Sequence, residues 1–188
     1  MKTQKNNPNP NPTPKPNRPA KVVYAAYGSN LNIDQMSRRC PDARPCGTGW
    51  IKDYRLCFRG VADIAPAKGE RTPVGFWEIT ERCESALDRY EGFPNLYQKI
   101  YFKNDQDDAV IMAYIMNRSR DESSPSASYY ETIVEGYGDF GFDYFILDKA
   151  LHDAFDSGAD LFELGAPKIR TRAEKKRIRN SERRSRAS

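Results

Sequence analysis

The run Tyr24-Ala25-Ala26-Tyr27-Gly28-Ser29-Asn30-Leu31 does most to limit what this chain can fold into. Residues 22–27 are β-branched, aromatic or small and apolar, which suits a buried strand. Gly28 then permits a sharp turn or the close approach of another group to the main chain. Asn30 is a suitable N-cap, and residues 31–39 carry Leu31, Ile33 and Met36 at helical spacing before Pro41 stops them. A strand that runs straight into a turn and a helix leaves N–H groups without partners. Such a turn is either an ordinary connection or a cradle for an anion or a carbonyl oxygen.

Composition divides the 188 residues into unlike parts. Residues 1–20 hold six prolines and five asparagines and cannot build a core, so they are expected to form a disordered arm. Residues 21–165 are expected to fold as one domain, and residues 166–188 to form a basic, disordered tail. The net charge of +4 conceals this division. Residues 1–21 carry +5 and residues 166–188 carry +8, whereas residues 22–165 have 15 Lys/Arg against 24 Asp/Glu. Affinity for nucleic acid, if present, therefore belongs to the tails. There is no apolar stretch of signal-peptide or membrane-spanning character, so a soluble cytoplasmic protein without membrane contact is expected.

Cys40, Cys46, Cys57 and Cys83 include no C-x-x-C pair, and His152 is the single histidine. No metal site or cofactor is expected from them. Reduced thiols, mostly in the core, are the simplest account. His152 falls in an amphipathic segment, residues 147–155, where an exposed histidine is unremarkable.

Residues 50–58 read as a strand, residues 62–73 as a loop containing Pro66, Gly69 and Pro73, and residues 74–79 as a second strand. Thr80 caps a helix with Cys83, Ala86, Leu87 and Tyr90 on one face, ended by Gly92 and Pro94. Residues 97–103 and 109–116 pair around a polar turn, residues 104–108. Ser126 caps a helix over residues 125–134, and Gly136, Gly138 and Gly141 read as a flexible connection to the last helix. Short links and a majority of strands give an α+β domain: a mixed sheet or small barrel with flanking helices.

With histidine pairs, metal ligands and a phosphate loop all missing, a carboxylate is the natural proton carrier. Glu91 lies at a helix end among aromatic neighbours that would desolvate it and raise its pKa. The helix C-terminus pushes the same way. Most glutamates at such positions are simply solvated, and Asp88, one turn earlier, is a weaker rival.

Three elements in order carry a family resemblance. Tyr24 to Leu31 resembles the strand-turn signature of the γ-glutamylcyclotransferase-like (AIG2-like) family. Leu87-Asp88-Arg89-Tyr90-Glu91-Gly92 resembles its Leu-Asp-x-x-Glu-Gly element, and Pro125-Ser126-Ala127-Ser128-Tyr129 its Pro-Ser-x-x-Tyr element. The resemblance covers about residues 22–155. It implies a small mixed β-barrel flanked by helices and cyclisation of a γ-glutamyl amine or dipeptide to 5-oxoproline. It implies Glu91 as general acid/base, main-chain donors at Tyr27, Gly28, Ser29 and Asn30, and a substrate contact from Tyr129. Tyr97 and Tyr114 lie on strands that should border the pocket, where each is either a pocket residue or a core aromatic. Strand alternation sends Tyr24 to the face opposite Tyr27, where it lines the pocket or packs. Loops such as residues 62–73 would decide the leaving group. The alternative reading is a catalytically silent protein of the same fold, tethered to nucleic acid by its tails. The run 168–186 lacks interleaved aromatics, so only salt-sensitive, nonspecific contact would follow. Oligomeric state is left open.

Overall fold

A computed structural model describes residues 22–103, 110–117 and 121–156. The arm, the turn 104–108, the residues beyond 156 and hence the basic tail lie outside the described residues. The first strand, β1 (Val22–Ala26), is buried from Val23 onward and sits at the centre of a five-stranded sheet. A strand covered on both faces is a continuous apolar run rather than an alternating one. Its neighbours are β3 (Ala62–Glu78), antiparallel, and β5 (Val110–Met116), parallel. The sheet is completed by β2 (Arg44–Phe58) and β4 (Tyr97–Lys103), in the order β2-β3-β1-β5-β4. The expected α+β architecture, a mixed sheet flanked by helices, is the one adopted.

The segment expected to be a loop, residues 62–73, is part of β3 instead. Lys52 pairs with Arg71 and Tyr54 with Pro66, so one residue of β2, Asp53, faces residues 67–70 of β3. The surplus is absorbed as a bulge, where Asp53 takes a positive φ of 60° and its carboxylate accepts from Gly69 N at 2.8 Å. Pro66 and Gly69 thus mark an irregularity within one long hairpin rather than its end.

The chain leaves β1 through a 3₁₀ turn (Ser29–Leu31) into α1 (Ile33–Arg39). The cap of α1 is Asn32, whose side chain accepts from Gln35 N at 2.9 Å, and not Asn30 as expected. The interposed 3₁₀ turn moves the helix start by two residues and leaves the Asn30 side chain free to point inward. Thr80 caps α2 (Glu81–Glu91) as anticipated, and Gly92 closes it in a left-handed conformation. Ser126 likewise caps α3 (Ala127–Phe140).

Gly136 and Gly138 lie inside α3 and do not form the flexible connection expected of them; Gly141 ends the helix. The reason is close packing. A Cβ at Gly136 would stand 2.5 Å from Leu31 Cβ and 2.8 Å from Asn32 N. The backbone of α3 thereby rests on the 3₁₀ turn. Asn32 Nδ2 donates to Glu135 at 2.8 Å, and Ile33 N donates to Asp139 at 2.9 Å, which holds the turn from the same side. The last helix, α4 (Phe145–Asp156), packs on the β2–β3 hairpin through Leu147, Ala150 and Ala154 and keeps His152 exposed. Trp77, Tyr137, Phe58, Leu31, Met36 and Met112 fill the core. Cys40, Cys57 and Cys83 are buried and Cys46 is exposed, all as thiols.

Candidate active site

The strand-turn run supplies one wall of a cavity of about 370 Å³. β1 ends at Ala26, so alternation no longer governs Tyr27. Tyr24 and Tyr27 consequently both line the cavity, contrary to the opposite-face expectation. The Tyr27 hydroxyl donates to Tyr114 O at 2.8 Å, which fixes its ring against β5. Gly28 is needed for space: a Cβ there would lie 3.1 Å from Ala62 Cβ and 3.4 Å from the Tyr129 hydroxyl. The first N–H groups of the 3₁₀ turn have no carbonyl behind them within it, and the turn borders the cavity.

Tyr129 projects from the first turn of α3, and its hydroxyl accepts from Ala62 N at 3.2 Å. Burial pushes that phenol up to about 12. On the facing side, the Tyr97 hydroxyl donates to Ala62 O at 3.3 Å. Burial also raises Tyr24, Tyr27, Tyr97 and Tyr114 well above the ordinary phenol range, so these hydroxyls are neutral donors at physiological pH.

Glu91, the last residue of α2, closes the opposite wall. Its Oε1 accepts from Asn30 Nδ2 at 2.8 Å, and that same amide donates to the Tyr24 hydroxyl at 2.8 Å. No described residue donates to its second carboxylate oxygen. Burial pushes the carboxyl from 4.5 up to about 7; the charge of Arg39 and the Asn30 hydrogen bond hold it from rising further. A carboxylate poised near neutrality in a cavity is suited to accept and return a proton.

Asp88 has a different task. It is within 2.6 Å of Lys99 Nζ and accepts from the Tyr114 hydroxyl at 2.5 Å, while Lys99 also meets Glu84 at 2.7 Å. This cluster staples α2 to β4 and β5 and sets the height of Glu91 above the sheet. Asp88 does not line the cavity.

Of the residues singled out from sequence, Glu91 with Tyr24, Tyr27, Gly28, Ser29, Asn30, Tyr97 and Tyr129 border this one cavity, and the rival carboxylate Asp88 does not. Tyr114 borders it as well. Sequence reasoning missed Tyr90, Asn95, Leu96 and Met116, which complete the lining. Of the segment 62–73, only Ala62 reaches it, together with Val61. Reasoning from sequence also missed Arg39, whose guanidinium lies 3.3 Å over the Tyr90 ring and donates to Asn30 Oδ1. Position in helix order would have placed Tyr90 beside Glu91, but nothing local announces the arginine. Among the described residues no cluster of three or more His, Cys, Asp or Glu could hold a metal ion, and no described helix is long and apolar enough to cross a membrane.

Comparison with known proteins agrees with this architecture. The family model described as "Gamma-glutamyl cyclotransferase, AIG2-like" matches residues 24–132. A Mus musculus protein named gamma-glutamylcyclotransferase is 26% identical over 128 residues, which are 60% of this chain and 67% of its own. A solved structure described as a gamma-glutamyl cyclotransferase superimposes with a TM-score of 0.59 at 19% identity, over 85% of this chain and 99% of that one. An uncharacterized Homo sapiens protein superimposes at 0.57 with 21% identity, over 84% and 97%. At these identities the two solved structures speak for the fold alone. The family match spans more than half of the residues, from Tyr24 on β1 through the cavity turn and Tyr129 to Thr132, and by it the chain belongs to the gamma-glutamyl cyclotransferase, AIG2-like family.

Proposed function

We propose that the protein cyclises a γ-glutamyl amine or dipeptide to 5-oxoproline and a free amine or amino acid, with Glu91 carrying the protons. One observation supports this above the rest: Glu91 is a desolvated carboxyl near pH 7 with one oxygen pinned by Asn30 and the other unclaimed by any described residue. Nucleophile and electrophile belong to the same substrate, so the cavity's main task is to hold the glutamyl chain folded, with its α-nitrogen against its γ-carbon.

Ionised Glu91 takes a proton from the α-ammonium, and the freed lone pair attacks the γ-carbonyl. The new C–N bond closes a five-membered ring and leaves an oxyanion on the former carbonyl. N–H groups of the Gly28-Ser29-Asn30 turn are the donors suited to that oxygen or to the substrate's α-carboxylate. Glu91 then protonates the leaving nitrogen, and the exocyclic C–N bond breaks. The ring nitrogen loses two protons in all, and the departing amine, an ammonium at neutral pH, gains two. Glu91 therefore ends each turnover ionised.

Around the cavity, the Tyr24 and Tyr129 hydroxyls accept from Asn30 and Ala62 and keep a proton to donate, while Tyr27, Tyr97 and Tyr114, whose protons go to Tyr114 O, Ala62 O and Asp88, offer apolar ring faces for orientation. A panel of γ-glutamyl compounds, including amino acid, alkylamine and ε-lysyl amides, assayed for 5-oxoproline release tests the reading. At least one should turn over, and Glu91→Gln should abolish it. Unchanged turnover in the Gln variant would remove Glu91 from the mechanism.

A further inference from the structure

We propose that Arg39 is a positioning residue for Glu91: it locks the Asn30 amide in the one orientation that favours the ionised carboxylate. This rests on the proposed role of Glu91. Arg39 ends α1, is half-buried and does not line the cavity, so it acts through its neighbours. Its guanidinium stacks on Tyr90, the residue preceding Glu91, and donates through Nη1 to Asn30 Oδ1. Nη2 reaches Gln35 Oε1 at 3.4 Å.

An amide side chain has one accepting and one donating end. With the guanidinium on its oxygen, the Asn30 NH₂ group must face Glu91 Oε1 and the Tyr24 hydroxyl, as it does at 2.8 Å each. Turned over, the amide would offer its oxygen to Glu91, which only a protonated carboxyl can use. It would also press NH₂ against the guanidinium, donor against donor. Arg39 thus excludes the orientation that stabilises the acid form, and its positive charge works in the same direction.

The other titratable groups lining the cavity around Glu91 are phenols: Tyr24 from β1, Tyr27 just after it, Tyr97 from β4, Tyr114 from β5, Tyr129 from α3, and Tyr90 beside it on α2. Burial keeps the first five protonated at neutral pH. Among the described residues, Arg39 is therefore the charge that acts on Glu91. The Tyr90 hydroxyl stands 3.2 Å from Ser29 Oγ, so the stacked arginine ties the end of α2 to the cavity turn as one unit.

The test is a direct titration of Glu91 in full-length protein carrying ¹³C-carboxyl glutamate, with its resonance assigned by its loss in Glu91→Gln. In Arg39→Met the midpoint should rise by about one pH unit or more. Arg39→Lys, which keeps charge and a donor, should return most of the way to wild type. In the 5-oxoproline assay the acid limb of the kcat/KM profile should move up with the midpoint. The Met variant would then be several-fold slow at pH 7 and recover in alkali. An unmoved midpoint in folded Arg39→Met overturns the proposal, as does a uniform loss of activity with an unshifted profile. Should Arg39→Met not fold, Arg39→Gln supplies the uncharged case. The titration needs no substrate. A shifted midpoint in a protein that turns over no γ-glutamyl compound would sink the cyclotransferase reading while supporting the Arg39 coupling.

Discussion

Replacing Glu91 with glutamine should make the protein more stable at alkaline pH while destroying its proposed activity. The size of the effect follows from the carboxyl's burial. In the unfolded chain Glu91 titrates near 4.5, and in the folded protein near 7. At a pH between those values, the folded state holds a proton that the unfolded state has released. Stability from this group therefore falls as pH rises through the window, at up to about 1.4 kcal/mol per pH unit. Above pH 7 the full penalty of an ionised, desolvated carboxylate is present, about 3 kcal/mol. Below 4.5 it is absent. Glutamine matches the protonated carboxyl in shape, still accepts from Asn30 Nδ2, and does not titrate. Urea unfolding of both proteins between pH 4 and pH 8.5 isolates the term, because every other titrating group cancels in the difference. The two should be close at pH 4, and Glu91→Gln should be more stable by about 3 kcal/mol at pH 8. A difference that stays flat across this range would refute the burial argument, and with it the reason for placing a general base there.

Two further perturbations probe the support around the site. Gly136→Ala would drive a methyl group to 2.5 Å from Leu31 Cβ and 2.8 Å from the Asn32 backbone. It should cost about 2 kcal/mol in thermal unfolding and displace the Ser29–Leu31 turn enough to raise KM for a γ-glutamyl substrate. Wild-type stability and kinetics in that variant would show that α3 does not hold the turn. The nucleic-acid reading has its own check: on it, full-length protein should shift RNA and DNA at low salt and lose that binding as salt rises, and a chain truncated after Gly165, which keeps the +5 of residues 1–21 but loses the +8 of residues 166–188, should bind more weakly. If neither binds, the tethering idea fails.

The parts of this fold that could be read from sequence are those decided within a few residues. Thr80 and Ser126 cap their helices because each side chain reaches an N–H three positions on. Gly92 stops α2 by adopting a left-handed backbone, and that stop is what leaves Glu91 at a helix end. The misreadings share another cause. Asn30 and Asn32 are equally good caps in isolation, and Asn32, the cap adopted, sits where its amide can also reach Glu135, far along the chain. Gly136 looks like a hinge until Leu31 is seen to need its space. Pro66 and Gly69 look like a loop until Arg71 to Glu78 is seen paired back onto β2. Arg39 is invisible for the same reason, since its two functional partners, Asn30 and Tyr90, come from different elements. These long-range decisions converge on one side chain. Because Asn32 takes the capping task, Asn30 is released from it. Its amide can then face inward, take Arg39 on its oxygen and give its hydrogens to Tyr24 and Glu91. The displaced helix start is what makes a polarised, desolvated carboxyl possible at this place in the fold.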